Sequence, residues 1–283
     1  MVSALIQSIK PFSVILYEAF SKHSIVGVIV RGNRRIRGDK FVPPVKRHFK
    51  TSDELAEASA EAVHALAKES QAARGRFSIA ISGGQSPKGL FAQLASKRWS
   101  NAICWDKTDI FWVDERCVPL GSPDSNEGTA REILLSKIAI PSSNIHAMQT
   151  SMHAPEQAAL EYENTLRNFF GENTPFPQFD LILLGMGADG HTASLFPRDK
   201  ALDEEVRWVL PIQNPPGSAS PCVPRLTLTL PVLNSARNII FIVVGKEKIT
   251  LAENIIAGSP ETASLPAALL RPNGNVSWHL SLA

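Results

Sequence analysis

The chain reads as an α/β protein built on a mostly parallel sheet with helices on both faces. Three observations predict it. From residue 51 onward, short apolar runs alternate with stretches of helical period, the pattern of strands joined by crossover helices. Most of those runs are continuously apolar, as strands covered on both faces are. Two glycine-rich stretches, 82–87 and 185–190, each follow directly on such a run. Open α/β sheets bind ligands beyond the carboxyl ends of their strands.

Taken in order, residues 1–45 do not resemble the rest. Apolar runs at 12–20 and 25–30 are broken by Glu18, Lys22 and His23, and Arg31, Arg34, Arg35 and Arg37 form a basic knot before Pro43 and Pro44. The charged n-region and cleavage site of a signal peptide are missing, and Glu18 does not suit a transit peptide. A short basic cluster is a weak signal for nucleic acid, so this stretch is read as a loosely attached amino-terminal extension. Residues 46–283 are read as a single α/β domain.

Thr51 and Glu54 form a capping-box pair, and Leu55, Ala58, Ala62 and Leu66 recur at helical spacing until Gly75. Phe77–Ile81 follows as a strand. It runs into Ser82-Gly83-Gly84-Gln85-Ser86-Pro87 and then a helix carrying Leu90, Phe91 and Leu94. Strand, glycine turn and helix start are the geometry that holds a phosphate on free amides, although the Gly-Lys-Ser/Thr ending of a P-loop is absent. A strand at 109–113 ends in Asp114-Glu115-Arg116. Three charges there are costly unless they pair or face a cleft. A helix at 127–138 and a short strand at 144–148 come next. Pro155–Phe170 is a helix with proline at its start and Gly171 past its end.

Residues 181–184 are then an apolar strand that stops in glycines 185, 187 and 190, with Asp189 and His191 inside the bend. Glycine lets a chain turn sharply and present its amides, and histidine is the commonest general acid or base. The bend also fits G-x-G-x-x-G, with Asp203, Glu204 and Glu205 about 20 residues on. A dinucleotide site nevertheless needs a helix opening on the third glycine. Pro197 interrupts that, and the acids precede the next strand-like run at 208–212, so the nucleotide reading is set aside. The alternation at 225–230 marks a half-buried strand. A buried strand at 239–244 ending in Gly245-Lys246, a helix at 248–256 and a strand at 276–280 complete the chain.

Composition narrows the function classes. The chain has 283 residues, 44% of them hydrophobic, and a net charge of +2. That near-balance gives no global pull toward nucleic acid or an anionic membrane. Cys104, Cys117 and Cys222 form no Cys-x-x-Cys pair, which makes a poor disulfide or zinc framework and suits a reducing, cytoplasmic compartment. No apolar run approaches the roughly 18 residues of a spanning helix. No metal is expected, and a monomer is the expectation for oligomeric state.

Four motifs in a fixed order carry a resemblance. Residues 82–87, Asp114-Glu115-Arg116-Cys117-Val118-Pro119 with Ser125-Asn126, residues 185–197, and Arg225-Leu226-Thr227 resemble the 6-phosphogluconolactonase branch of the glucosamine-6-phosphate isomerase/6-phosphogluconolactonase family. The resemblance covers roughly residues 50–280. It implies a Rossmann-like three-layer α/β/α fold, as in glucosamine-6-phosphate deaminases, ribose-5-phosphate isomerases and CoA transferases. It also implies hydrolysis of 6-phospho-D-glucono-1,5-lactone in the oxidative pentose phosphate pathway, with no cofactor. Related deaminases carry Asp-Glu-Tyr at the second motif and a glutamate after the histidine loop. This chain has Arg116 and Leu195-Phe196-Pro197 there, which favours the lactonase. Gln85-Ser86 departs from the family's usual Ser-Thr but keeps the amide cradle. A non-catalytic sugar-phosphate sensor would bring a helix-turn-helix domain, and residues 1–45 show no such pattern.

Residues and resemblance together give an expected site. His191 takes the proton from water, with Asp189 or Asp114 orienting its ring. Arg116 anchors or polarises the substrate. Ser82 and the amides of Gly83, Gly84 and Gln85 bind the phosphate, with Arg225 and Lys246 supplying charge. Covalent routes are weaker: Asp114 and Glu115 disfavour a thiolate at Cys117, and Ser82 lacks a Gly-x-Ser-x-Gly elbow.

Overall fold

The computed structural model describes residues 8–9, 12–13, 43–272 and 274–282. Within residues 1–40, a separate unit, Ser8–Ile9 (β1) pairs antiparallel with Phe12–Ser13 (β2). The apolar run 25–30 and the arginine cluster at 31–37 lie outside the described residues, as does most of 12–20.

In residues 41–283 the order begins with Val45–Phe49 (β3), Ser52–Arg74 (α1), Phe77–Ile81 (β4), Lys88–Leu94 (α2), Lys97–Ser100 (α3), Thr108–Trp112 (β5) and Asp114–Arg116 (β6). Asn126–Ile133 (α4), Ile145–His146 (β7), Pro155–Phe170 (α5), Leu181–Leu184 (β8), Val209–Ile212 (β9) and Arg225–Leu228 (β10) follow. Leu230–Asn234 (α6), Asn238–Val244 (β11), Lys246–Ala257 (α7), Pro266–Leu269 (α8) and Asn275–Ser281 (β12) end it. The main sheet has seven strands in the order β3-β12-β11-β8-β4-β5-β7, and every pairing in it is parallel. The α/β reading with a parallel sheet is therefore correct. Among the described residues, no helix is long and apolar enough to cross a membrane.

Central strands are apolar because both faces are covered: Leu181–Leu184 is buried at every position. Each such side chain contributes roughly 1.5–3 kcal/mol relative to exposure. Edge strand β3, Val-Lys-Arg-His-Phe, is largely exposed. Its charges hid it from pattern reading while protecting an open edge.

Helix α1 forms where expected. Thr51 accepts from the Glu54 amide at 3.1 Å, and Gly75 closes the helix in the left-handed region at φ 79°. The reciprocal half of the capping box is different, because Glu54 reaches the amide of Lys50 at 2.9 Å. The buried face is also rotated by about one residue. Ala58, Ala62 and Leu66 are only half-buried, and Leu55, Ser59, Val63 and Ala67 face the sheet. Small residues at 56, 59, 60 and 67 let the helix approach closely, and Ser59 Oγ meets His279 Nδ1 at 2.7 Å.

A second sheet, β6-β10-β9, is antiparallel. Strand β10 was expected to be half-buried, yet all four residues are buried and the strand ends at Leu228. Its polar face, Arg225 and Thr227, lies against the loop after β8 instead. Helix α5 fixes the neighbouring strand: Tyr162 Oη accepts from the amide of Trp112 at 2.8 Å and donates to its carbonyl at 3.1 Å. Short β7 leaves Trp112 without a strand partner on that side, so a buried hydroxyl satisfies both backbone groups.

Candidate active site

Because β11, β8, β4 and β5 are parallel, the segments that leave their carboxyl ends share one edge of the sheet. Strand β8 pairs directly with β4, and paired strands are roughly 4.8 Å apart. The glycine turn at 82–85 and the loop holding His191 are thus immediate neighbours. Asp114 follows β5 on the other side of β4, and Lys246 follows β11 on the other side of β8.

The loop after β8 is shaped around the imidazole. A methyl group on Gly187 would come within 2.2 Å of His191 Cε1 and Nδ1, so only glycine permits this close approach. Gly190 bends the chain at φ 81°. Asp189 Oδ1 accepts from His191 Nδ1 at 2.6 Å and from the His191 amide at 3.1 Å. A carboxylate can only accept, so in the neutral ring the proton sits on Nδ1 and Nε2 keeps its lone pair. Nε2 has no partner among the described residues. The arrangement is that of a general base held by a second group. No helix opens after Gly190, which removes the dinucleotide reading.

Asp114, Glu115 and Arg116 diverge into three environments. Glu115, 2% exposed, takes the amides of Arg116, Asn126 and Glu127 at 2.7, 2.8 and 2.7 Å and the Ser125 hydroxyl at 3.2 Å. It holds the start of α4, and burial pushes its pKa up to about 7 against the pull of those amides. Asp114 Oδ2 accepts from Ser194 Oγ at 2.7 Å, which ties β6 to the histidine loop. Of the two acids considered as partners for the imidazole, Asp189 therefore holds it. Arg116 Nη1 donates to the Asp124 carbonyl at 2.6 Å, and its Nε is buried without a partner among the described residues.

Arg225 lies opposite Arg116 in the β10–β6 ladder. It is 4% exposed and donates through Nη2 to the Pro221 carbonyl at 2.7 Å, and its Nε too is buried and unpartnered. Burial lowers its pKa, with Asp114 opposing and Arg116 adding to the effect. Two guanidinium groups side by side with spare donors form a strong attractor for a phosphate or carboxylate. The Phe196 ring links this pair to the base: its centroid is 5.0 Å from that of His191 and 5.6 Å from Arg225 Cζ.

The glycine turn completes the edge. Ser82 is buried, Gly84 sits at φ 81° with open space beside it, and Gln85 is exposed. The amides of Gly83, Gly84 and Gln85 donate to no group among the described residues. They are available to an anion. Helix α2 has only seven residues, so the turn's own amides, rather than a long dipole, supply the positive potential. Lys246 is exposed and shares only the sheet edge with these groups.

Sequence reasoning missed Ser194, Phe196, Thr227 and Asn126 as individual contributors. All four stood inside recognised motifs, but only the fold shows what they touch. Thr227 Oγ1 accepts from the Ser194 amide at 3.2 Å. Cys117 is no nucleophile: burial, then Glu115, pushes its pKa up to about 11. A cavity of about 680 Å³ lined by Asp203, Glu204, Glu205 and Gln213 contains none of the predicted residues, and its acids would repel a phosphate. Among the described residues, no three His, Cys, Asp or Glu side chains are placed to hold a metal.

Comparison with known proteins places the chain among its relatives. Residues 50–278 match the family model described as glucosamine-6-phosphate isomerases/6-phosphogluconolactonase. The chain is 44% identical over 210 residues to a 6-phosphogluconolactonase of Synechocystis sp., covering 74% of this chain and 83% of that protein. The structure of the Trypanosoma brucei 6-phosphogluconolactonase superposes with a TM-score of 0.75 at 32% identity, covering 84% of this chain and 96% of that one. A monomeric glucosamine-6-phosphate deaminase superposes with a TM-score of 0.70 at 16% identity, over 84% and 97% of the two chains. That likeness concerns the fold alone.

Proposed function

The chain belongs to the glucosamine-6-phosphate isomerase/6-phosphogluconolactonase family, and from this membership and the carboxyl-edge cleft we infer that it hydrolyses 6-phospho-D-glucono-1,5-lactone to 6-phospho-D-gluconate. The observation that carries the mechanism is the Asp189–His191 pair, with Nδ1 held at 2.6 Å and Nε2 free, one strand away from a turn of unused amides. His191 Nε2 takes a proton from water as the oxygen attacks the lactone carbonyl, and the imidazolium returns that proton to the ring oxygen as the bond between it and the carbonyl carbon breaks. Asp189 holds the ring and stabilises the imidazolium that results. The phosphate lies on the amides of Gly83, Gly84 and Gln85 beside Ser82, within the field of Arg225, and Lys246 adds charge from the neighbouring strand. Arg116 polarises or anchors the lactone end, and Asp114 offsets the charge of Arg225 and holds Ser194. A fixed phosphate sets the carbonyl carbon against the base, and positioning of this kind is worth about 7–11 kcal/mol at best.

Every residue in this scheme comes from one chain, which is all a monomeric enzyme needs. The thiols of Cys104, Cys117 and Cys222 are free, which supports a reducing, cytoplasmic setting. The test is turnover of freshly made lactone against a no-enzyme control, with glucosamine 6-phosphate in parallel. His191→Ala should lower lactone hydrolysis by roughly 10²–10⁴. Near-wild-type turnover by that variant would remove His191 as the base. Ammonia released from glucosamine 6-phosphate, without lactone turnover, would overturn the lactonase reading.

A further inference from the structure

Asn126 stands between the two halves of the site. It is the first residue of α4 and 2% exposed. Its amide donates to Glu115 Oε1 at 2.8 Å, and its side-chain Nδ2 donates to the Asp114 carbonyl at 2.9 Å. The remaining polar atom, Oδ1, is buried with no hydrogen-bond partner among the described residues. That oxygen is pressed against the glycine turn: a methyl group on Gly83 would lie 1.8 Å from Oδ1 and 2.1 Å from Cγ. Gly83 is outside the left-handed region, so glycine is required there for close approach and not for backbone conformation.

One side chain therefore touches the phosphate turn on one side and the strand of Asp114 on the other. Leaving a buried amide oxygen unpaired costs about 1–3 kcal/mol, and a glycine Cα–H contact offsets only part of that. A merely structural contact would be better served by an apolar group of the same shape. We propose that Asn126 is a positioning residue, a strut that sets the separation between the amide cradle and the Asp114–Ser194–His191 half of the site. The need for a strut follows from the substrate, whose phosphate and carbonyl carbon are joined by a ring of fixed size. The cradle and the base must match that length, and they stand on different strands. The inference rests on the reading that the phosphate occupies the 83–85 turn.

The experiment compares kcat/KM for 6-phosphogluconolactone with that for the non-phosphorylated 1,5-gluconolactone. In Asn126→Ala the ratio should fall roughly ten- to a hundredfold, the scale of an ångström-level misplacement. Most of the change should come through KM for the phosphorylated substrate. Asn126→Asp keeps an oxygen against Gly83 but cannot donate to the Asp114 carbonyl, so its ratio should fall as well. Gly83→Ala should lower the ratio by driving a methyl into the amide, and Gly83→Ala/Asn126→Gly should regain part of it, because it removes all three atoms the methyl would meet, Oδ1, Cγ and the Cβ at 2.8 Å. Equal losses on both lactones, or a double variant no better than Gly83→Ala, would overturn the strut. If Asn126→Ala fails to fold, the Asp and Gly83 variants decide the question. A wild-type protein with no preference for the phosphorylated lactone would instead overturn the phosphate reading on which the strut depends.

Discussion

The Ser194 hydroxyl donates to Asp114 at 2.7 Å across a sequence separation of 80 residues, and this bond joins the histidine loop to the second sheet. Both residues are buried. Removing the donor leaves a buried carboxylate short of a partner, which costs about 1–3 kcal/mol. Ser194→Ala should lower the thermal midpoint by several degrees, since about 1 kcal/mol corresponds to roughly 2–4 °C in a domain of this size. It should also lower lactone turnover, because Asp114 and the loop no longer move together. An unchanged midpoint in a thermal scan would show that the bond does not hold the loop.

Gly187 offers a way to displace the base without removing it. A methyl there meets the imidazole at 2.2 Å and Asp189 Oδ1 at 2.6 Å, and Gly187 does not occupy the left-handed region, so alanine meets no backbone penalty. Gly187→Ala should therefore approach the activity of His191→Ala while remaining folded. Turnover within a factor of about three of wild type would mean that the ring need not sit on the glycine. The general-base role, ordinarily worth 10²–10⁴, would then belong elsewhere.

The alternation of apolar runs and helical periods made the parallel sheet legible, because strands covered on both faces must be apolar along their length. The glycines at 185, 187 and 190 likewise pointed to the histidine loop. Strand order was not legible, since nothing local encodes that β8 lies beside β4. The triplet Asp114-Glu115-Arg116 looked like one charged cluster, and the fold gives each member a different partner. The alternation at 225–230 marked a half-buried strand, and alternation reports a polar side without saying what covers it. Asn126 stood in the second motif, but its role was not legible: its contact is with a glycine 43 positions away, and it leaves no periodic trace.

Arg225 tests the phosphate end of the site. Its guanidinium is buried, with one bond to the Pro221 carbonyl and an unused Nε. Arg225→Lys keeps the charge but loses the fork geometry that matches a phosphate. KM for the phosphorylated lactone should rise about tenfold or more while kcat changes less, the pattern of lost binding shared by ground and transition states. An equal fall in kcat at constant KM would place Arg225 at the reacting carbonyl instead.

Glu115 and His279 oppose each other in acid stability. Burial lifts Glu115 from 4.5 to about 7. As pH rises from about 4.5 to 7, the unfolded carboxyl ionises while the folded one keeps its proton, so its contribution is lost as pH rises. Burial, with Arg47 adding, lowers His279 from 6.5 to about 4. As pH falls from about 6.5 to 4, the unfolded imidazole takes up a proton that the folded one refuses, so its contribution is lost as pH falls. Each shift corresponds to roughly 3 kcal/mol across its window, and the signs are opposite over nearly the same range. In the wild type the two slopes therefore largely cancel. His279→Leu should become less stable relative to wild type as pH rises from 4.5 to 7, because the Glu115 slope is left alone. Glu115→Gln loses an acceptor for the α4 amides and is weakened throughout, but its stability relative to wild type should improve as pH rises. Urea midpoints at pH 4.5, 5.5 and 7 decide it: variants that both run parallel to wild type would mean that neither group carries the shift assigned to it.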